Sequence, residues 1–78
     1  MLKVTRPTRL AEADWHISET RRCIVQQKAL IETMKRENRD VSGSRDLLAL
    51  SEELLRLMLA RRKFIRWALN VFAAAKSI

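Results

Sequence analysis

The positions of its helix-breaking residues limit most strongly what this chain can fold into. Its 78 residues contain one proline, Pro7, and one glycine, Gly43. Neither breaker occurs between Thr8 and Asn38, nor anywhere after Gly43. Ala, Glu, Lys, Leu and Arg supply 42 of the 78 residues, a share typical of long helices. The sequence therefore predicts an all-α protein, because sheets need more β-branched and aromatic residues and more glycine-bearing turns.

This spacing divides the chain into two helices joined by a short turn. We expect a tail over 1–7 and one helical domain over 8–76, with helices over about 8–38 and 44–75 and a turn over 39–43. Asn38 can take the left-handed conformation that closes a helix, and Asp40 or Ser42 can cap the next one. Because the connection is short, the predicted fold is an antiparallel two-helix hairpin resembling a coiled coil.

The first helix carries an apolar stripe with a seven-residue repeat. The repeating positions are Leu10, Ile17, Ile24 and Ile31. Three positions after each of these lie Ala13, Thr20, Gln27 and Met34. This is the amphipathic pattern of a helix that packs on one partner, although two members of the second row are polar.

The second helix is apolar around more than half of its circumference. Its predicted central line is Leu47, Leu54, Met58, Ile65 and Phe72. A single partner helix covers a stripe of roughly 100°, so one hairpin would leave a leucine-rich strip exposed to water. We therefore predict that two hairpins associate as a homodimeric four-helix bundle. The predicted dimer interface is Leu50, Leu54, Leu57, Met58, Phe64 and Ile65.

Folding the chain at Asp40 predicts which residues of the two helices face each other. The expected apolar pairs are Met34 with Leu47, Ile24 with Leu57 and Met58, Ile17 with Ile65, and Leu10 with Phe72. Two arginines interrupt the apolar face of the second helix, and a charge in such a face needs a partner. We therefore predict a polar layer made of His16, Glu19, Thr20, Arg61 and Arg62.

The chain is basic, with 16 Lys and Arg against 9 Asp and Glu and a net charge of +7. The excess is spread along the sequence and predicts weak, salt-dependent, non-specific attraction to polyanions. Basic and aromatic residues alternate around Phe64, which suggests an anion-binding patch made of Arg56, Lys63, Arg66 and Trp67. Such a patch would suit a nucleic-acid-associated protein or a binder of anionic membrane surfaces, but we favour the interpretation that it is a solvated helix face with arginines at the rim of the buried stripe.

Few residues are available for chemistry. One histidine, His16, one cysteine, Cys23, and scattered carboxylates do not form a ligand set, so we expect no metal, no cofactor and no catalytic residues. Cys23 is interpreted as a small buried residue, or as a cross-link at a dimer axis. Trp15 and Trp67 lie on the outer helix faces and suggest either a partner surface or lateral packing. Because the sequence shows no secretory signal and no membrane-spanning run, we expect a cytoplasmic protein.

Several segments together resemble a known group of proteins. They are His16-Ile17-Ser18-Glu19, Arg21-Arg22, Gln27, Ala29-Leu30-Ile31, Leu47-Leu48 and Glu52-Glu53-Leu54-Leu55. Over roughly Leu10 to Leu69 the pattern resembles short, uncharacterised helical-hairpin proteins of soil-dwelling alpha-proteobacteria. Those have a Gly-His-Asp turn where this chain has Asn38-Arg39-Asp40. The resemblance implies a bacterial helical hairpin and carries over no activity and no site residues.

Taken together, these features predict a small non-catalytic interaction or regulatory adaptor. It would act through self-association and its helix surfaces, with a protein partner that the sequence does not identify. The first alternative is a basic nucleic-acid-associated protein that uses the run from Arg61 to Trp67, and the second is a protein that binds anionic membrane surfaces.

Overall fold

The computed structural model describes residues 9–76, and they form two helices. Helix α1 covers Arg9–Arg36 and helix α2 covers Ser42–Lys76. The two helices pack against each other as an antiparallel hairpin, and no strand occurs within 9–76. The all-α prediction and the two-helix prediction are therefore confirmed. The predicted tail over 1–7 and the predicted helix start at residue 8 lie outside the described residues.

Helix α1 ends in a Schellman motif that Asn38 makes possible. The backbone N–H of Asn38 donates to the carbonyl of Lys35 at 3.1 Å, and that of Arg39 donates to the carbonyl of Met34 at 2.9 Å. Asn38 has a φ of 56°, the left-handed conformation that asparagine tolerates better than most residues. The helix thus ends at Arg36 rather than at the predicted residue 38, because the motif itself uses the last two positions.

The side chain of Asp40 caps the start of helix α2. Its carboxylate accepts hydrogen bonds from the backbone N–H of Ser42 at 3.0 Å and from the Ser42 hydroxyl at 2.9 Å. These bonds lower the pKa of Asp40. Of the two predicted caps, Asp40 is therefore the one whose side chain binds the helix start. The helix begins at Ser42, two residues before the predicted start, and so includes Gly43 in its first turn.

The apolar stripe predicted for α1 forms the centre of the hairpin. Ile17, Ile24 and Ile31 are buried, and they are the only buried hydrophobic residues within 9–76. The second row is half-buried, namely Ala13, Thr20, Gln27 and Met34. The seven-residue repeat therefore identified the packing face of α1 correctly.

The face of α2 that packs against α1 differs from the predicted central line. The half-buried residues of α2 are Ser44, Leu48, Ser51, Leu55, Met58, Arg62, Ile65 and Ala68. Leu47, Leu54 and Phe72 are exposed instead, so the predicted pairs Met34–Leu47 and Leu10–Phe72 are wrong. The cause is that α2 has two neighbouring apolar stripes and α1 covers only one of them.

Side-chain contacts between the helices give the register directly. The Thr20 hydroxyl donates to Met58 Sδ at 3.3 Å, and the Ser44 hydroxyl donates to Met34 Sδ at 3.4 Å. In both pairs the residue numbers sum to 78, whereas the predicted pairing had sums near 81. The second helix is therefore displaced by about one turn relative to the expected alignment.

One buried polar atom weakens the core. Gln27 Oε1 is buried and has no hydrogen-bond partner among the described residues. A buried carbonyl oxygen that lacks a partner costs about 1–3 kcal/mol. We expect Gln27→Met, which keeps the length of the side chain, to raise the free energy of unfolding by about 1 kcal/mol in urea titration. Gln26→Met at the exposed neighbouring position is the matched control and should change it little. A loss of stability in Gln27→Met would contradict this interpretation.

Candidate functional site

A second apolar stripe of α2 is exposed along most of the helix. Its members are spaced alternately by three and four residues, and all are exposed except Ala68, which is half-buried where the two stripes meet. We call it the leucine strip: Leu47, Leu50, Leu54, Leu57, Arg61, Phe64, Ala68 and Val71. Leu50 is 67% exposed, Leu57 59% and Phe64 63%. The strip lies roughly a quarter turn around α2 from the stripe that contacts α1. The expectation that one hairpin leaves a leucine-rich strip exposed is therefore confirmed.

The predicted dimer interface is divided between these two stripes. Leu50, Leu54, Leu57 and Phe64 belong to the leucine strip and are exposed. Met58 and Ile65 are half-buried in the stripe that contacts α1. Four of the six predicted residues are thus available to a partner molecule, and two are largely used within the hairpin.

The leucine strip continues onto the adjacent edge of α1. His16 lines the same cleft as Arg61 of the strip. Cys23 and Leu30 follow His16 at intervals of seven residues, so they share that edge of α1. Both are exposed, and the prediction that Cys23 is buried is wrong because it lies beside the isoleucine stripe. This side of the hairpin therefore presents apolar residues from both helices.

The opposite edge of the hairpin carries ion pairs between the helices. The Arg62 guanidinium binds the Asp14 carboxylate, and Lys28 Nζ lies 3.8 Å from Glu52 Oε2. Asp14 was not among the predicted site residues. The sequence feature that could have identified it is the heptad repeat, because Asp14 and Lys28 occupy equivalent heptad positions on α1. The hairpin therefore has one polar edge and one apolar edge.

The pair between Asp14 and Arg62 should make stability depend on acid pH. The hydrogen bond from Arg62 lowers the pKa of Asp14. A lowered pKa in the folded state contributes stability above the unfolded value, near 3.9, and this contribution is lost as the pH falls through the folded value. We expect Asp14→Asn to lower the urea midpoint at pH 7, with a difference from the unsubstituted protein that shrinks in acid. Asp46→Asn is the control, and an equal loss at both pH values in Asp14→Asn would contradict the prediction.

The five residues of the predicted polar layer do not meet at one place. Arg62 binds Asp14, and Thr20 binds Met58. Glu19 lies 3.7 Å from Arg22 of its own helix. His16 and Arg61 remain together, on the apolar edge of the hairpin.

His16 and Arg61 belong to an open cleft of about 330 Å³ between the helices. Met58, Ile65 and Ala13 give this cleft an apolar part, and its polar lining is Arg9, Glu12, His16 and Arg61. Of these four, only Glu12 is acidic, so the cleft offers more hydrogen-bond donors than carboxylates. It is suited chemically to a carboxylate or another small anionic group.

The predicted anion-binding patch is accessible but only loosely assembled. Lys63, Arg66 and Trp67 are exposed. The Trp67 ring lies 5.8 Å from the Phe64 ring, next to the leucine strip. Arg56 binds Glu53 of its own helix, so part of its charge is already compensated.

Residues 9–76 provide neither a metal site nor a membrane-spanning segment. No group of three or more His, Cys, Asp or Glu side chains there could hold a metal ion. Neither α1 nor α2 has a run long and apolar enough to cross a membrane. Trp15 is exposed on α1, where its ring meets the His16 ring edge-on with centroids 5.0 Å apart.

The geometry defines a two-helix hairpin with one uncovered apolar side. Comparisons with protein families, curated proteins and solved structures gave no match to this chain. The resemblance to helical-hairpin proteins of soil alpha-proteobacteria, and with it a bacterial origin, stays a prediction.

Proposed function

We propose that the chain is a small non-catalytic interaction protein that self-associates through the leucine strip into a homodimeric four-helix bundle. The observation that carries the proposal is the exposure of the strip together with its alternating spacing of three and four residues. This spacing is how one helix presents a continuous seam to another helix. The predicted role as a regulatory adaptor of the cytoplasm belongs to the same proposal.

The size and direction of the strip favour a helical partner. From Leu47 to Val71 it extends about 36 Å along α2 at 1.5 Å per residue. An apolar surface of this length and one helix width exceeds what isolated residues contribute and is typical of interaction sites. In a four-helix bundle each helix contacts two neighbours about a quarter turn apart, which is the angle between the two stripes of α2.

A second copy of the chain is the partner we favour. The same strip is present on every copy, so a two-fold axis can bring two strips together without any other molecule. Sedimentation equilibrium at micromolar concentrations should give a mass of twice the 9.1 kDa of one chain. A single species with the mass of one chain up to about 100 μM would refute self-association, because useful homodimers reach micromolar affinity.

The outer surface of α1 would remain free in such a dimer and is where an adaptor would hold another protein. Trp15 and Val25 are both exposed there. Exposed tryptophan is enriched at interaction hot spots. Capture of one defined partner that Trp15→Ala abolishes, while the dimer mass is unchanged, would support the adaptor role.

A second candidate function, binding of polyanions, is favoured by the exposed basic residues Lys63 and Arg66. Binding to DNA and RNA should be measured across a salt series, since the slope reports the number of phosphates neutralised. Lys63→Glu/Arg66→Glu should lose more affinity than the matched double variant Arg21→Glu/Arg22→Glu on α1. Equal losses would indicate general attraction by the net charge of +7, with no role for the patch.

The third candidate function, binding of an anionic membrane surface through the leucine strip, is tested separately. The Trp15→Phe variant, in which Trp67 is the one remaining tryptophan, is mixed with vesicles of phosphatidylserine and phosphatidylcholine, and Trp67 emission is recorded. A blue shift of Trp67 emission that Leu57→Asp abolishes would favour lipid over a second copy. A protein that is dimeric in sedimentation equilibrium and does not bind the vesicles would exclude the membrane surface as the partner.

A further inference from the structure

Arg61 is the one charged residue in the leucine strip, and it restricts how two strips can pack. It is exposed, and no ion pair or hydrogen bond joins it to another side chain within 9–76. Every other member of the strip is apolar. A charge that becomes buried between two helices is costly unless it meets an opposite charge.

A parallel arrangement would bring Arg61 of the two copies together. In a parallel two-fold pair of helices each layer contains the same residue from both copies. Arg61 would then face Arg61 of the partner subunit at the centre of the seam, which like-charge repulsion opposes. Parallel packing of the strip is therefore disfavoured by its own sequence.

The antiparallel arrangement gives Arg61 an apolar neighbour and an acid within reach. The register that pairs Leu47 with Val71 of the partner subunit also pairs Leu54 with Phe64 and Ala68 with Leu50. This register places the two-fold axis at the height of Leu59 along the helix, between Leu57 and Arg61 of the strip. Arg61 then lies beside Leu57 of the partner subunit. Glu53 is one turn from Leu57 on the same helix, so its carboxylate falls near the Arg61 side chain.

We propose that α2 packs antiparallel against α2 of the second copy and that Arg61 pairs there with Glu53 of the partner subunit. In the single chain Glu53 forms an ion pair with Arg56 of its own helix. On association the Glu53 carboxylate binds Arg61 of the partner subunit, either in place of Arg56 or in addition to it. This inference rests on the proposed self-association and adds its direction, its register and its polar contact.

A charge-reversal cycle tests the polar contact. Arg61→Glu and Glu53→Lys should each raise the dimer dissociation constant by at least tenfold, and the double variant should recover most of the affinity. Arg61→Glu is the more telling single change, because it reduces the net positive charge. If general repulsion dominated, it would tighten the dimer instead. Glu52→Lys, on the polar edge, is the matched control for Glu53→Lys and should leave the dissociation constant within about threefold.

Distance measurement tests the direction independently. Spin labels at Asn70→Cys in a Cys23→Ser background lie on the outer side of α2, away from the strip. In the antiparallel register the two labels are displaced by about 33 Å along the helix axis, whereas in a parallel dimer they lie at the same height and are separated only across the width of the helix pair. Far-UV circular dichroism verifies that each variant remains helical.

The outcomes separate this inference from the proposed function. Weakening by both single variants with recovery in the double variant, together with the long label distance, supports the antiparallel pair. A dimer with the short label distance, or one that Arg61→Glu tightens or leaves unchanged, overturns the inference and leaves self-association standing. A monomeric unsubstituted protein overturns both.

Discussion

Replacing Ile24 with alanine is expected to remove most of the stability of the hairpin. Ile24 is the middle one of the three buried isoleucines, which are the only buried hydrophobic residues within 9–76. Truncating a buried isoleucine to alanine costs about 2–5 kcal/mol. Whole domains are stable by about 5–15 kcal/mol, and small domains lie near the lower limit. Thermal and urea unfolding followed by circular dichroism should therefore show a large fraction of unfolded chain even without denaturant.

The neighbouring residue provides the control for this prediction. Val25 is also β-branched but is 66% exposed, so Val25→Ala should change the unfolding midpoint little. Ile24→Val removes a single methylene and should cost about 0.5–1.5 kcal/mol. All variants are compared at one protein concentration, because association adds to apparent stability. Equal losses for Ile24→Ala and Val25→Ala would show that the isoleucine stripe is not what holds the helices together.

The packing face of α1 could be predicted because its apolar stripe is narrow. Ile17, Ile24 and Ile31 recur on one line with charged residues around most of the circumference, so only one face can be buried. The turn was predictable for a similar reason, since Asn38 and Asp40 have specific conformational roles at helix ends. Local chemistry decides both features.

The packing face of α2 could not be chosen from hydrophobicity alone. The stripe with Leu48 and Leu55 and the strip with Leu47 and Leu54 are similarly apolar, so periodicity does not distinguish them. The stripe that contacts α1 even contains Ser51, whereas the exposed strip is richer in leucine. Ion pairs between the helices distinguish the two edges, and these depend on the relative position of residues far apart in the chain.

The candidate site shows the same division. Exposure of Leu50, Leu57 and Phe64 followed from the width of the apolar arc. The pairing of Arg62 with Asp14 could not be predicted in this way. The predicted register was displaced by about one turn and placed Glu19 opposite Arg62, whereas Glu19 lies beside Arg22 of its own helix. A prediction that includes charge pairing along the edges of both helices would have corrected the register.

Leu57→Asp is expected to convert the dimer into monomers without unfolding the hairpin. Leu57 is 59% exposed in the single chain and lies near the proposed two-fold axis, so its loss matters little to the hairpin and greatly to the bundle. Both copies carry the substitution, and each places a carboxylate in a seam that must exclude water. Burying such charges without partners costs several kcal/mol, which corresponds to an increase of at least about 100-fold in the dissociation constant.

Val25→Asp is the matched control, because Val25 has a similar exposed fraction, 66%, on the outer surface of α1. It introduces the same charge, so the net charge of the two variants is identical, and it removes a similar apolar side chain. Sedimentation equilibrium should show monomers for Leu57→Asp and dimers for Val25→Asp, while circular dichroism shows similar helicity for both. If Leu57→Asp remains dimeric with unchanged affinity, another surface joins the copies. If both variants dissociate alike, added negative charge rather than the leucine strip controls association, and the proposed seam is wrong.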